Sequence, residues 1–492
     1  MDFFDVPGMG DISDAVLQSL FDQDSQNSAC AEERHPATQP DKPSPAFAPS
    51  FAPVFGTWLD DCLCLRDKAG ARLCKMVLLR LELFERDRRQ RRRSDKNQRN
   101  FEILVECIVA NALRAVYYRA YDRVAYMRKA DAEFYRFKPD WLSAEAMART
   151  VDLMVDAELL TEWRGVPGVV ASTYNIGHAL IDLIVASAVE MRHVGRRPPA
   201  RRSLIILRSR GKQKRQIKFD PTEETDGWAA MLDRYNRFIE RHNIKLDLSQ
   251  DEKKAFVQAA YDKRPYWDDQ PKMVEPEFFR RHVYRIYNDG RWDHGGRLYR
   301  AWWITTPGKL RKKITIDGES TVELDYSGFL PRSIYHQHGI DYPANEEPYE
   351  ISMLSAYAEW LDQPPDYFRK SIKKLLVALL NGENRDGHPE MVRLEQTFKP
   401  AFNRLEVEEL IAAKHPFLAE MFRTGKGKCN QRLDSDIAMD ILAKLMDRGI
   451  LALPIHDSFI VQERHKEVLY NTMVESYQKK LNYSPTIKVN SQ

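Results

Sequence analysis

The sequence lacks most of the features that would place it outside the reducing cell or in a membrane. Its six cysteines, at 30, 62, 64, 74, 107 and 429, form no CxxC pair and have no histidine at a zinc-like spacing. Neither a disulfide framework nor a local zinc motif is expected, and the chain reads as a reduced, cytoplasmic protein. No apolar run approaches about eighteen residues, and the Met1-Asp-Phe-Phe-Asp5 start has no basic n-region, so neither membrane insertion nor export is expected. Large net charge is absent as well. The 75 Lys and Arg residues nearly cancel the 72 Asp and Glu, leaving +3, so a polyanion can be attracted only locally.

The charge that is present is unevenly spread. Arg86 to Arg93 and Arg196 to Lys218 are strongly basic, whereas the first thirty residues lean acidic. Ile12, Val16, Leu17 and Leu20 would line one face of a short helix within that acidic stretch. It is expected to be an unstructured tail, with docking of a replication partner as the alternative. Proline at 45, 49 and 53 makes residues 31–56 an extended tether. A chain of 492 residues is too long for one ordinary core, and the expected divisions are 1–56, 57–190, 191–279 and 280–492.

In the second of these, a helix over Phe101 to Tyr118 is followed by a helix that Ser143 can cap, with the stripe Met147, Val151, Met154 and Val155. A strand at Thr161 to Arg164, a turn at Gly165 to Gly168, a returning strand to Ile176 and a helix from Ala179 complete the series. This order resembles winged helix-turn-helix DNA-binding domains. The resemblance implies that Arg149 and Thr150 enter the major groove and that Arg164 lies in the wing. Use of the same domain for protein contact stays open. Residues 196–222, with Leu204, Ile206, Leu207, Ile217 and Phe219 broken at Gly211, are expected to form a basic hairpin. Helices over 223–242 and 251–262 would follow as a thumb-like element.

Two stretches farther on carry chemistry. Asp325 ends an apolar strand-like segment, and His456-Asp457-Ser458 interrupts another, so a sheet could hold two carboxylates rigidly. Paired carboxylates suit two Mg²⁺ ions, with Mn²⁺ as a substitute, that clamp the oxygens of a phosphoryl transfer. Between them Asp366 can cap a helix that stops at Asn381-Gly382. At about 100° per residue, Arg369 and Lys373 fall on the edge of its apolar stripe, where their charges suit a nucleoside triphosphate.

The order Asp325-Tyr-Ser, Arg369-x3-Lys373-x7-Asn381-Gly382 and His456-Asp457-Ser458 resembles the three motifs of family A DNA polymerases and phage-type single-subunit RNA polymerases. Leu433-Asp-Ser-Asp-Ile-Ala438 is similar to that superfamily's helix before the third motif. Asp293-His-Gly-Gly-Arg297-Leu-Tyr299 is similar to the Arg-Gly-Arg-x-Tyr element of the RNA polymerase branch. The resemblance, over roughly 280–490, implies an α+β, predominantly helical protein: a right-hand palm with an antiparallel sheet and helical fingers. It implies a DNA template, nucleoside triphosphates and two metal ions held by Asp325 and Asp457. Arg369, Lys373, Asn381 and Tyr326 would contact nucleotide, and Arg297, Tyr299, His456 and Ser458 primer or template.

The chain departs from the DNA polymerase pattern at four points, one of them Val377, which stands where that pattern has an aromatic eight residues after the arginine. Asn381-Gly382 replaces Tyr-Gly, Leu330 replaces a glutamate, and Ser458 replaces a glutamate after the third-motif aspartate. Leu330 and Ser458, together with Gly295-Gly-Arg297-Leu-Tyr299, tilt the expectation toward the RNA polymerase branch, in replication or primer synthesis for a mobile element, phage or plasmid. An initiator or regulator with an inactive polymerase-like domain is the alternative, and untemplated terminal transfer is a third reading.

Overall fold

The computed structural model describes residues 57–490 apart from 87, 89–90, 118–122, 130–131, 167–169, 212–213, 255–276 and 383–388. The helix expected over 12–21, the tether, most of the helix expected over 251–262, and parts of the 86–93 arginine run and of the 165–168 turn lie outside the described residues. The protein is mixed α/β and about half helical, with antiparallel and mixed sheets. Among the described residues no helix is long and apolar enough to cross a membrane. The chain divides into two compact units, residues 1–198 with 249–275 and residues 199–248 with 276–492.

The first unit contains, in order, β1 (Thr57–Trp58), β2 (Leu63–Leu65), α1 (Asp67–Glu85), α2 (Asp95–Tyr117), β3 (Val124–Tyr126), α3 (Ala132–Tyr135) and α4 (Ala144–Asp156). β4 (Leu160–Trp163), β5 (Ser172–Ile176), α5 (His178–Ser187) and β6 (Val194–Arg196) follow. Ser143 caps α4 by accepting from the Ala146 amide at 3.1 Å, and Met147, Val151 and Met154 turn one fully buried face inward. The sheet order is β1-β3-β5-β4, with β1 parallel to β3 and the rest antiparallel. β3, a strand of only three residues, has no length of alternation in the sequence to announce it.

The second unit holds two sheets. β7 (Ile205–Arg208), β8 (Gln216–Ile217), β10 (Tyr284–Tyr287) and β11 (Gly295–Tyr299) form one in the order β11-β10-β7-β8, with β10 parallel to β7. The basic 196–222 stretch thus supplies a buried interior strand, because Ile205, Ile206 and Leu207 pack in the core. Helix α6 (Glu223–Ile239) and strand β9 (Ile244–Leu246) follow β8.

The larger sheet is antiparallel and centres on β13 (Glu319–Tyr326). β13 pairs with β12 (Ile314–Ile316), β15 (Ser458–Gln462) and β16 (Ile487–Asn490), while β14 (Leu453–Ile455) lies outside β15 and β9 outside β12. Helices in this part of the chain include α7 (Phe329–Gln337), α8 (Ser352–Trp360), α9 (Arg369–Leu380), α10 (Pro389–Phe398), α11 (Arg404–Lys414), α12 (Lys426–Asp447) and α13 (Lys466–Leu481). Leu324 and Phe459 of the sheet share one core with Ile437, Ile441 and Leu445 of α12 and Leu469 and Met473 of α13. A second core joins α7 through α11 around Phe368, Leu376 and Phe398.

Candidate active site

The pleat of β13 sorts its residues. Val322, Leu324 and Tyr326 face the core, so Glu323 and Asp325 project from the other side. Asp325 stands opposite Ser458 in the ladder with β15, and His456-Asp457 forms the turn of the β14–β15 hairpin. His456 takes the left-handed conformation (φ 60°) that a two-residue hairpin turn calls for. Its neighbour Asp457 is thereby presented at the same end of the sheet as Asp325, and the Asp457 carbonyl accepts from the Tyr326 amide at 3.3 Å.

Burial, and after it the charge of Asp457, push the Asp325 carboxyl up to about 7, while Lys373 and Arg311 pull the other way. Lys373, in the second turn of α9, is thus within electrostatic reach of the aspartate. Tyr349 is buried beneath α9, with Arg369 5.3 Å and Lys373 5.8 Å from its ring centre. The Arg369 guanidinium donates to both oxygens of Glu347, at 3.1 and 3.2 Å.

On the other side, Arg297 and Tyr299 share a face of β11. Arg297 donates through Nε to Asp434 Oδ2 at 2.7 Å, with a second hydrogen bond from Nη2 to the same oxygen. Burial works to lower the Arg297 pKa, but Asp434 outweighs it and holds the guanidinium above its ordinary value. Asp434 Oδ1 is buried with no hydrogen-bond partner among the described residues. Tyr299 meets His456 edge-on at 5.4 Å. Burial and Arg297 lower the His456 pKa to about 4, so the ring is neutral at physiological pH.

Six other sequence-derived residues sit elsewhere or are already engaged. Tyr326 is corrected from nucleotide contact to core: it is 4% exposed, it donates to the Met473 carbonyl at 2.7 Å, and its ring packs on Phe329 and Tyr477. Strand alternation sends it away from Asp325. Ser458 is buried and donates to Glu323 Oε1 at 2.9 Å, so it buttresses the hairpin rather than reaching a primer. Asn381 caps the far end of α9, where a Cβ at Gly427 would lie 2.4 Å from its Oδ1. Thr150 is corrected from groove contact to core, because it lies on the inward face of α4 at 4% exposure. Arg149 and Arg164 are exposed, but Arg149 pairs with Glu145 at 2.5 Å, and Arg164 pairs with Asp152 and Glu162 at 3.3 Å each.

Sequence reasoning missed Asp434, Glu347 and Tyr349. Asp434 had a legible signal, since it falls in register with Ile437, Ala438 and Ile441 on the buried stripe of α12. A carboxylate there needs a cationic partner. Glu347 lies in a loop with no pattern to mark it.

Asp325 and Asp457 are two carboxylates whose mutual repulsion a hard divalent cation would relieve, so the donor chemistry fits oxygen-ligated metals. Among the described residues, two groups of three bring ligand atoms within 4.8 Å of one another: Asp293, His294 and Cys429, and Asp60, Asp61 and Cys62. Compared with known proteins, the chain matches no family model and no curated protein.

Proposed function

We propose that the second unit is the palm and fingers of a minimal single-subunit polymerase, a template-directed nucleotidyltransferase acting on DNA. The observation that carries this reading is the convergence of Asp325, Asp457 and Lys373, from three separated segments, at one end of an antiparallel sheet. Two Mg²⁺ ions on the aspartates, with Mn²⁺ as a substitute, would activate a 3′-hydroxyl and neutralise the leaving pyrophosphate. Lys373 and Arg369 bind the triphosphate and offset its charge, with Glu347 giving way at Arg369. Arg297, held by Asp434, and Tyr299 line the primer or template side, and neutral His456 supports the turn. The His456-Asp457-Ser458 turn and the Gly295-Gly296-Arg297 strand favour ribonucleotides, and the role this supports is primer synthesis or replication for a mobile element, phage or plasmid.

For the first unit we read a winged helix. The order α2, β3, α3, α4, β4, β5 and the sheet order β3-β5-β4 support it. The outer face of α4 is mixed rather than basic, with Glu145, Asp152 and Asp156 beside Arg149, so DNA contact there requires both arginines to exchange carboxylate for phosphate. This face therefore favours a protein partner over DNA, and Asp152→Asn should raise DNA affinity only if DNA is the ligand. The enzymatic reading is tested by supplying NTPs or dNTPs separately on single-stranded DNA, with and without primer, to wild type and Asp457→Asn. Equal incorporation by both proteins would sink it.

A further inference from the structure

In the second unit, the loop from β10 to β11 lays Asp293 and His294 against Cys429, which lies in the first turn of α12. One ligand atom from each residue is within 4.8 Å of the other two. A thiolate, an imidazole and a carboxylate form the mixed donor set of a borderline transition metal, Zn²⁺ foremost. The members are far apart in the chain, which is why cysteine–histidine spacing gives no hint of them.

An outer contact also suits a metal. His294 Nδ1 lies 3.1 Å from Asp289 Oδ2. A carboxylate only accepts, so Nδ1 carries a proton, which leaves Nε2 as the nitrogen for a metal. This is how an outer carboxylate fixes the tautomer and orientation of a metal-ligating histidine. Lys428 donates to the same Asp289 oxygen at 3.1 Å and so keeps Asp289 as the outer anion rather than a ligand. Asp293 is engaged by Arg291 at 2.8 and 2.5 Å, but both side chains are more than half exposed. A pair this exposed is screened by water and yields readily to a divalent ion.

We propose that Asp293, His294 and Cys429 form a zinc site, with water in the fourth position, that fastens the β10–β11 hairpin to the start of α12. The location gives it a purpose. β11 carries Arg297 and α12 carries Asp434, so the metal would clamp one end of the two elements whose contact makes that ion pair. The site stands independently of the polymerase reading, because its readout is metal binding.

The test uses the full chain, stripped with chelator and titrated with Zn²⁺, and with Co²⁺ as a spectroscopic substitute. Wild type should bind one equivalent at this site and show a thiolate-to-cobalt charge-transfer band. Cys429→Ser should lose the band and that equivalent, Asp289→Asn should bind about 10–100-fold more weakly, and Cys62→Ser should behave as wild type. Circular dichroism of the metal-free proteins separates loss of ligand from loss of fold, and His294→Ala repeats the test if Cys429→Ser is misfolded. Equal stoichiometry and affinity in wild type and a folded Cys429→Ser or His294→Ala, no binding by wild type, or loss of the band in Cys62→Ser alone would overturn the proposal.

Discussion

Asp325 stands directly opposite Ser458 across the β13–β15 ladder, which fixes Asp457, one residue earlier, at the same sheet end as Asp325. The register is set by apolar pairs farther along, Leu324 with Phe459 and Val322 with Val461. A slip of one residue would turn both the core side chains and the aspartate to the wrong faces. Core packing thus positions the carboxylates.

That position has a cost in stability. Burial and the Asp457 charge push the Asp325 carboxyl from an ordinary 3.8 up to about 7, so between those values the folded state holds more protons than the unfolded state. Its contribution is present at low pH and is lost as pH rises through about 7. In metal-free buffer, Asp325→Asn should be more stable than wild type at pH 8, by about 1–3 kcal/mol. The difference should shrink toward pH 4, as followed by thermal melts across the range. Coincident melting curves at pH 8 would contradict the environment assigned to Asp325.

The Arg297–Asp434 pair should behave as a buried unit. Removing one partner leaves the other charged in a poorly solvated place, so Asp434→Asn should destabilise by about 3 kcal/mol in urea denaturation. Arg297→Met with Asp434→Leu should cost less than the sum of the single changes. Additive losses would mean that the two side chains do not support each other.

Glu347 competes for the arginine assigned to the triphosphate. Glu347→Gln should weaken that internal pairing and lower the nucleotide KM several-fold with kcat little changed, measured by steady-state incorporation. A raised KM would assign Glu347 to holding Arg369 in place for the substrate instead.

Gly427 is constrained by contact rather than by its backbone angle. A methyl group there would meet Asn381 Oδ1 at 2.4 Å, so Gly427→Ala should destabilise by about 1–3 kcal/mol. In an Asn381→Ala background the loss should be smaller. An equal loss in both backgrounds would put the strain elsewhere.

How much of this could be read from the chain depends on whether the signal is local. The α4 cap at Ser143, the α9 stripe, the strand bearing Asp325 and the strands flanking Asp457 follow from patterns a few residues long, and the folded elements lie there. Tyr326 enters the expected site through the resemblance of Asp325-Tyr-Ser to a polymerase motif, whereas the strand sends it and Asp325 to opposite faces. Thr150 failed likewise, sitting beside exposed Arg149 but on the buried side of the helix. Asp434 with Arg297, Glu347 with Arg369, and the Asp293, His294 and Cys429 group join segments far apart in the chain. The stripe of α12 marks Asp434 as a buried carboxylate, but tertiary packing chooses the partners, and spacing along the chain does not name them.

The central claim is that Asp325 and Asp457 together serve nucleotide transfer. Its most direct test is incorporation of labelled NTPs or dNTPs on a defined single-stranded DNA with Mg²⁺, comparing wild type with Asp457→Asn after both are shown to be folded. Template-dependent product from wild type, and at least a hundredfold less from the variant, is the predicted result. Product at equal rates from the two proteins, or none from wild type under any nucleotide, primer or Mn²⁺ condition, would contradict it.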